Sequence, residues 1–336
     1  MPTIEAESRL ARARVFGQEY GVAIARDPVV VVTASDEAYV MPLAVMGRSL
    51  IDNLEPGRRV HLYVISRLGE RSRRRVLASW DADRLEVTWL DPDLRRLRAV
   101  KVSGHVRVAT YFRILVGSLL PTTVERAIYL DADVIVEQDL GSLWEFDLGD
   151  HPIAAAQDWI VLTVSAPNGL ATWCELGLEA NQKYFNAGVL LIDLARWRRE
   201  RTEQRILDHL QTYRERVRWW DQDGLNAVLG RECLELDPRW NLNIRNRTFP
   251  APESLPLSRA EYDAVVAAPR ICHFATHVKP WHTDCEHPRR DRFFHYLDQT
   301  TWAGWRPRRA SPQPAAGLRQ SIVRLAARLR SGRTRS

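Results

Sequence analysis

Between Val29 and Asp133 the sequence alternates short apolar runs with stretches of helical spacing. No other feature narrows the fold as much. "DPVVVVTASDEAYVMPLAVMGRSLIDNLEPG" reads as strand, turn, amphipathic helix and a Pro-Gly stop. "RRVHLYVIS" is a second strand, "GERSRRRVLASW" a helix, and "DRLEVTWLD" a third strand. "GHVRVATYFRILVGSLLP" reads as helical, and "RAIYLDAD" as the fourth strand. Repeated βα units predict an α/β fold with a mostly parallel central sheet flanked by helices. Further on, "HPIAAAQDW" and "QKYFNAGVLLIDLARW" add two strands, the second running into a helix over 194–213. "WWDQDGLNAVLG" is a short helix capped by Asp221, and "RICHFATHVKPWH" a late buried strand entering a loop.

The chain divides by composition into a charged helical extension over 1–27, a globular domain over 28–298 and a tail over 299–336. From Gln299 onward there are nine arginines and no acidic residue, so the net charge of +6 leaves the first 298 residues at about −3. That distribution argues against nucleic acid as a partner of the body. Within the tail, "RPRRASPQPAAG" is a Pro-rich linker. "LRQSIVRLAARLR" puts Leu318, Ile322, Leu325 and Leu329 on one helical face. Its composition fits an interfacial amphipathic helix on an anionic membrane, and equally a solvated polar tail. No apolar run is long enough to span a bilayer, and the first thirty residues contain no signal-peptide core. Four cysteines without framework spacing are expected to be reduced. Together these features predict a cytoplasmic protein, peripheral at the inner face of the plasma membrane if the tail binds lipid.

The sharpest chemical signal is Asp131-Ala132-Asp133 directly after an apolar strand. On a strand, residues two apart share a face. Carboxylates about 5 Å apart at an effective dielectric near 20 repel by about 3 kcal/mol. A divalent cation, Mn²⁺ or Mg²⁺, would relieve that repulsion. Asp-x-Asp alone is a weak signal: it recurs at Asp81/Asp83, Asp91/Asp93 and Asp221/Asp223, and the first two read as solvated turns. "CHFATHVKPWHTDC" supplies His273, which can complete a Mn²⁺ shell, and Lys279, a point donor to phosphate.

Taken in order, "YLDADVIV", "YFNAGVLLIDLARWR", "WDQDGLN" and "HFATHVKPWH" resemble glycosyltransferase family 8, the glycogenin-like and bacterial lipopolysaccharide galactosyl- and glucosyltransferases. The similarity runs over roughly residues 28 to 287. It implies a GT-A fold, a UDP-hexose donor, Mn²⁺, and retention of anomeric configuration. It also implies metal-ligand roles for Asp131, Asp133 and His273, and a β-phosphate contact for Lys279. Ala34 and Asp36 match the uridine-binding turn, while Arg113, Asp158 and Asn186 match groups that hold the donor sugar. Asp221 and Gln222 lie where the family places groups beneath the reacting carbon. This chain departs from the family pattern at Ala38, where an asparagine is frequent, and at Thr276, where the family has glycine. A glycine there lets backbone approach the diphosphate closely, and a positive φ at Thr276 would add strain. Trp281, after Lys279-Pro280, is expected to line an active-site loop.

The expected activity is Mn²⁺-dependent, retaining transfer of galactose or glucose from a UDP-sugar to a glycan or lipid-linked, lipopolysaccharide-type acceptor. Gln222 is a poor nucleophile, so front-face attack is favoured over a covalent intermediate. The alternatives are a non-catalytic or weakly active nucleotide-sugar-binding homologue, and a nucleotidyltransferase.

Overall fold

The computed structural model describes residues 12–15, 18–21, 28–103, 107–243 and 254–308. Part of the expected N-terminal helix is instead a hairpin, in which β1 (Arg12–Val15) pairs antiparallel with β2 (Gln18–Gly21). Arg12-Ala13-Arg14-Val15 does alternate polar and apolar residues, but four positions in a charge-dense segment are too few to set a strand against a helix. The other residues of 1–27 and the tail from 309 lie outside the described residues.

The main sheet contains β3 (Val29–Ser35), β4 (Val60–Ser66), β5 (Leu85–Leu90) and β6 (Arg126–Asp131). After β7 (Val134–Val136), which leaves that sheet, come β8 (Ile153–Gln157), β9 (Phe185–Asp193) and β10 (Cys233–Glu235). The seven strands lie in the order β10-β8-β9-β6-β3-β4-β5. Only β9 runs against its neighbours, β6 and β8; every other pairing is parallel. The mostly parallel sheet expected from the βα alternation is therefore present.

Both faces of this sheet are covered, which is why its central strands read as unbroken apolar runs. Val31, Leu62, Val64, Ile128 and Leu130 point to one side. There they pack with α1 (Val40–Asp52), α2 (Glu70–Leu77), α4 (Gly141–Trp144) and α9 (Arg290–Leu297). Val32, Tyr63, Ile65, Ala127 and Tyr129 point to the other. A 3₁₀ segment Val108–Leu115 covers that face, with α3 (Val116–Leu119), α5 (Leu194–Arg199), α6 (Thr202–Thr212) and α7 (Trp220–Leu229). Each fully buried Val, Leu or Ile contributes about 1.5–3 kcal/mol of burial free energy. The helical reading of 108–119 is thus met mostly by the tighter 3₁₀ form, and the helix expected over 194–213 is broken at Glu200 and Arg201.

A second, three-stranded sheet sits beside the first. It orders β11 (Leu242–Asn243), β12 (Ile271–His273) and β7, with β12 antiparallel to β7. α8 (Arg259–Ala267) precedes β12 and begins at a Ser258/Glu261 capping box. Asn53, just past α1, donates to the carbonyl of Val136 and to the Tyr296 hydroxyl, tying β7 and α9 to α1. Among the described residues, no helix is long and apolar enough to cross a membrane.

Candidate active site

The two sheets meet at the acid pair. Asp131 ends β6, level with Ala34 on β3, at the carboxyl edge where α/β sheets bind ligands. The chain turns through Ala132 and Asp133 and starts β7, whose Val134 pairs with His273 on β12. The amide of Phe274 donates to the carbonyl of Asp133 at 3.1 Å, continuing that ladder. Antiparallel pairing therefore carries the imidazole from far along the chain to the acids.

The facing atoms form a compact donor set. His273 Nε2 lies 3.6 Å from Asp131 Oδ2 and 3.5 Å from Asp133 Oδ1. One ligand atom from each of the three residues falls within 4.8 Å of the others. Donors bound at about 2.1 Å to one ion sit about 3.0–3.5 Å apart, so these spacings fit a shared divalent cation better than hydrogen bonds. The outer carboxylate oxygens are anchored separately. Asp131 Oδ1 accepts from Arg113 at 2.7 Å and from the Tyr129 hydroxyl at 3.0 Å. Asp133 Oδ2 accepts from Lys279 Nζ at 2.5 Å, and that ammonium also donates to the carbonyl of Phe274. Burial alone would raise the Asp133 carboxyl, but Lys279 and then His273 hold it below its ordinary value. Burial would likewise lower Lys279, yet Asp133 outweighs it and the ammonium is kept. Oriented carboxylates and an oriented imidazole are what a tight cation site requires.

Beside this centre is a cluster around Asp158, which follows β8. Asp158 Oδ1 accepts from the amides of Ile160 and Val161. Its Oδ2 accepts from Asn186 Nδ2 at 2.8 Å and Gln222 Nε2 at 3.0 Å. Gln222 Oε1 in turn accepts from the amide of Ala187, so both arms of that amide are committed. Asp221 is not the helix cap suggested by its position. Trp219 occupies that place, and its amide is held by Asp223, while Asp221 lies buried inside the first turn of α7. Arg113 Nε is 2.7 Å from Asp221 Oδ2, close in charge but out of line for a hydrogen bond. Burial pushes the Asp221 carboxyl up to about 7, against the pull of Arg113 and with help from Asp131. Burial would lower Arg113, but Asp131 and Asp221 keep it protonated between them.

The eleven residues given metal, donor-binding or catalytic roles from the sequence line one cavity of about 820 Å³. They are Ala34, Asp36, Arg113, Asp131, Asp133, Asp158, Asn186, Asp221, Gln222, His273 and Lys279. A volume of this size suits an organic ligand rather than an ion alone. Asp36 also caps the turn into α1 by accepting from the amide of Ala38 at 2.9 Å. Thr276 lines the cavity too, and it is not among the described non-glycine residues with positive φ, which are Arg201 and Trp220. Whatever Thr276 changes, it does so through side-chain bulk and not backbone strain. Trp281 corrects an expectation: it is absent from the cavity wall and packs edge-on against Tyr39 at 5.6 Å, and Tyr39 is the ring that lines it. Trp159 stacks on Tyr262 away from the cavity.

Sequence reasoning missed Tyr39, Tyr129, Trp219 and Trp220 on the wall, and Gly188 beneath the imidazole. A Cβ on Gly188 would fall 2.2 Å from His273 Cε1 and 2.6 Å from Nδ1. The glycine of "FNAG" is thus the floor on which the imidazole rests.

Comparison with known proteins identifies the family and the fold. The family model described as "Glycosyl transferase family 8" matches residues 30–285. "General stress protein A" of Bacillus subtilis (strain 168) is 29% identical over 276 residues, covering 81% of this chain and 94% of that protein. "Lipopolysaccharide 1,3-galactosyltransferase" of Salmonella typhimurium is 24% identical over 218 residues, 63% of this chain and 60% of that protein. The crystal structure of the galactosyltransferase LgtC with donor and acceptor sugar analogues superposes with a TM-score of 0.69 at 24% identity, covering 86% of this chain and 99% of that one. At that identity the superposition speaks for the fold, which is GT-A.

Proposed function

Because the chain belongs to glycosyltransferase family 8, we propose that it transfers a hexose, galactose or glucose, from a UDP-sugar with Mn²⁺ and with retention of anomeric configuration. The observation that carries this reading is the donor set of Asp131, Asp133 and His273 facing Lys279 within one cavity. Asp131 Oδ2, Asp133 Oδ1 and His273 Nε2 are the atoms that would hold the cation, Mn²⁺ or Mg²⁺. When bound, such an ion supplies positive charge to the nucleoside diphosphate as it departs. Lys279 adds a second, protein-borne positive contact at the same oxygens. Ala34, Asp36 and Tyr39 form the wall for the nucleotide, and Arg113, Asp158 and Asn186 the wall for the sugar.

The carboxylates on the sugar side favour front-face attack. Both Asp158 oxygens already accept two hydrogen bonds each, Asp221 is held against Arg113, and Gln222 is an amide with both ends occupied. None is poised as a nucleophile for a covalent intermediate. Gln222 and Asp221 then act beneath the reacting carbon by fixing the sugar and its surroundings, and the leaving phosphate oxygen takes the acceptor's proton.

The acceptor we propose is a glycan or lipid-linked glycan of lipopolysaccharide type, approached at the inner face of the membrane through the arginine-rich tail. The names of the relatives and the composition of residues 309–336 support this. Sedimentation of the full chain with anionic and with neutral vesicles tests the membrane contact.

A panel of UDP-sugars, with and without Mn²⁺, tests the activity. The expected result is Mn²⁺-dependent UDP release with one or two hexoses and an α-linked product by NMR. Binding without turnover would favour a nucleotide-sugar-binding homologue, and pyrophosphate release from a nucleotide triphosphate would favour a nucleotidyltransferase.

A further inference from the structure

We infer that Asn241 is a positioning residue that locks the His273 imidazole in its Nδ1–H tautomer and so turns the Nε2 lone pair toward Asp131 and Asp133. The inference rests on reading those three side chains as a cation site.

The argument starts from Asp158, whose carboxylate only accepts. Asn186 Nδ2 donates to it at 2.8 Å, which fixes the orientation of that amide. Asn186 Oδ1 must then be the acceptor, and it takes the amide proton of Gly188 at 2.9 Å and Asn241 Nδ2 at 2.9 Å. With its nitrogen committed to Asn186, Asn241 presents Oδ1 to His273 Nδ1 at 3.0 Å. A carbonyl oxygen cannot donate, so Nδ1 carries the hydrogen. A neutral imidazole has only one such hydrogen, and Nε2 is left as a lone pair facing the two acids. The side chains of Asp158, Asn186, Asn241 and His273 are all nearly inaccessible to water, which removes the solvent as a competing partner.

The opposite tautomer would aim an N–H at the carboxylates and turn a ligand into a hydrogen-bond donor. Four residues from four segments thus form a directed chain from the sugar side of the cavity to the cation side. Asn241 is its last link, supplied by the 3₁₀ turn Pro238–Asn241 just before β11.

The test uses the full chain with ¹⁵N-labelled histidine, without metal and at a pH high enough for the ring to be neutral, and the His273 resonances assigned by comparison with His273→Gln. The expected spectrum shows protonated Nδ1 and unprotonated Nε2 on His273. Asn241→Leu, which fills the space without a hydrogen bond, should move the population toward Nε2–H and weaken Mn²⁺ binding about 10–100-fold, read by titration with and without UDP. An Nε2–H imidazole in the unsubstituted protein overturns the inference, and needs no variant to fold. So does an Asn241→Leu protein that keeps both tautomer and affinity. If the protein binds no Mn²⁺ yet shows the expected tautomer, the cation reading fails while the role of Asn241 in setting the tautomer stands.

Discussion

At one end of the cavity Asp131 and Asp133 are held by Arg113 and Lys279, charge against charge. At the other, Asp158 is surrounded by amides from Asn186, Gln222, Ile160 and Val161, with no cation in its hydrogen-bond shell among the described residues. On the proposed function the first arrangement would be adjustable: an arriving ion and phosphate would redistribute the positive partners without unmaking the fold. The second is rigid, because each donor has one acceptor and moving any of them leaves a buried polar group unpaired. On the proposed function a transferase would benefit from both, a responsive end where charge develops and a fixed end where the sugar must not shift.

Substitutions that touch only one end test this contrast. Asp133→Asn removes a carboxylate of the proposed cation site and the partner of Lys279. Turnover should fall by about 10³-fold or more while the far-UV circular dichroism stays folded. Unchanged turnover would take the cation out of the mechanism. Gln222→Ala strikes the rigid end: a loss of about 10²-fold in kcat is expected with Mn²⁺ affinity unaltered. A parallel loss of Mn²⁺ affinity would mean that the two ends are not separable. Gly188→Ala, measured by Mn²⁺ titration, should lower affinity about 10–100-fold by pushing the imidazole off its floor.

The mildest effect concerns pH. Burial lifts the Asp221 carboxyl from 3.8 to about 7, so between those values the folded chain keeps a proton that the unfolded chain has released. Stability contributed by this group therefore falls as pH rises from about 4 to about 7. Denaturant unfolding of Asp221→Asn should show that slope flattened relative to the unsubstituted protein. An identical slope would place the titration elsewhere.

Much of this molecule was legible before any coordinates. β3, β4 and β6 are buried on both faces, so their Val, Ile and Leu runs stand out, and an acid pair directly after one of them marks the sheet's functional edge. β10 and β11 were not legible: three and two residues long, they have too few positions to show a period. The N-terminal hairpin offered only the four-residue alternation Arg12-Ala13-Arg14-Val15 to betray it. Asn241 was hidden for a different reason. Its partners lie 55 and 32 residues away, so its meaning exists only once Asn186 and His273 have been brought to it. Trp281 was misplaced because its neighbour Lys279 does enter the cavity, and loop direction is not written in composition.

The pairing of β7 with β12 has a consequence for how the molecule comes into being. Every strand of the large sheet is present once synthesis has passed Glu235, but the imidazole and ammonium that complete the centre belong to residues 273 and 279. A chain emerging from the ribosome thus carries every strand of its scaffold before the groups proposed to complete the site. On that proposal, products truncated before His273 would hold the acids without the imidazole and ammonium that face them.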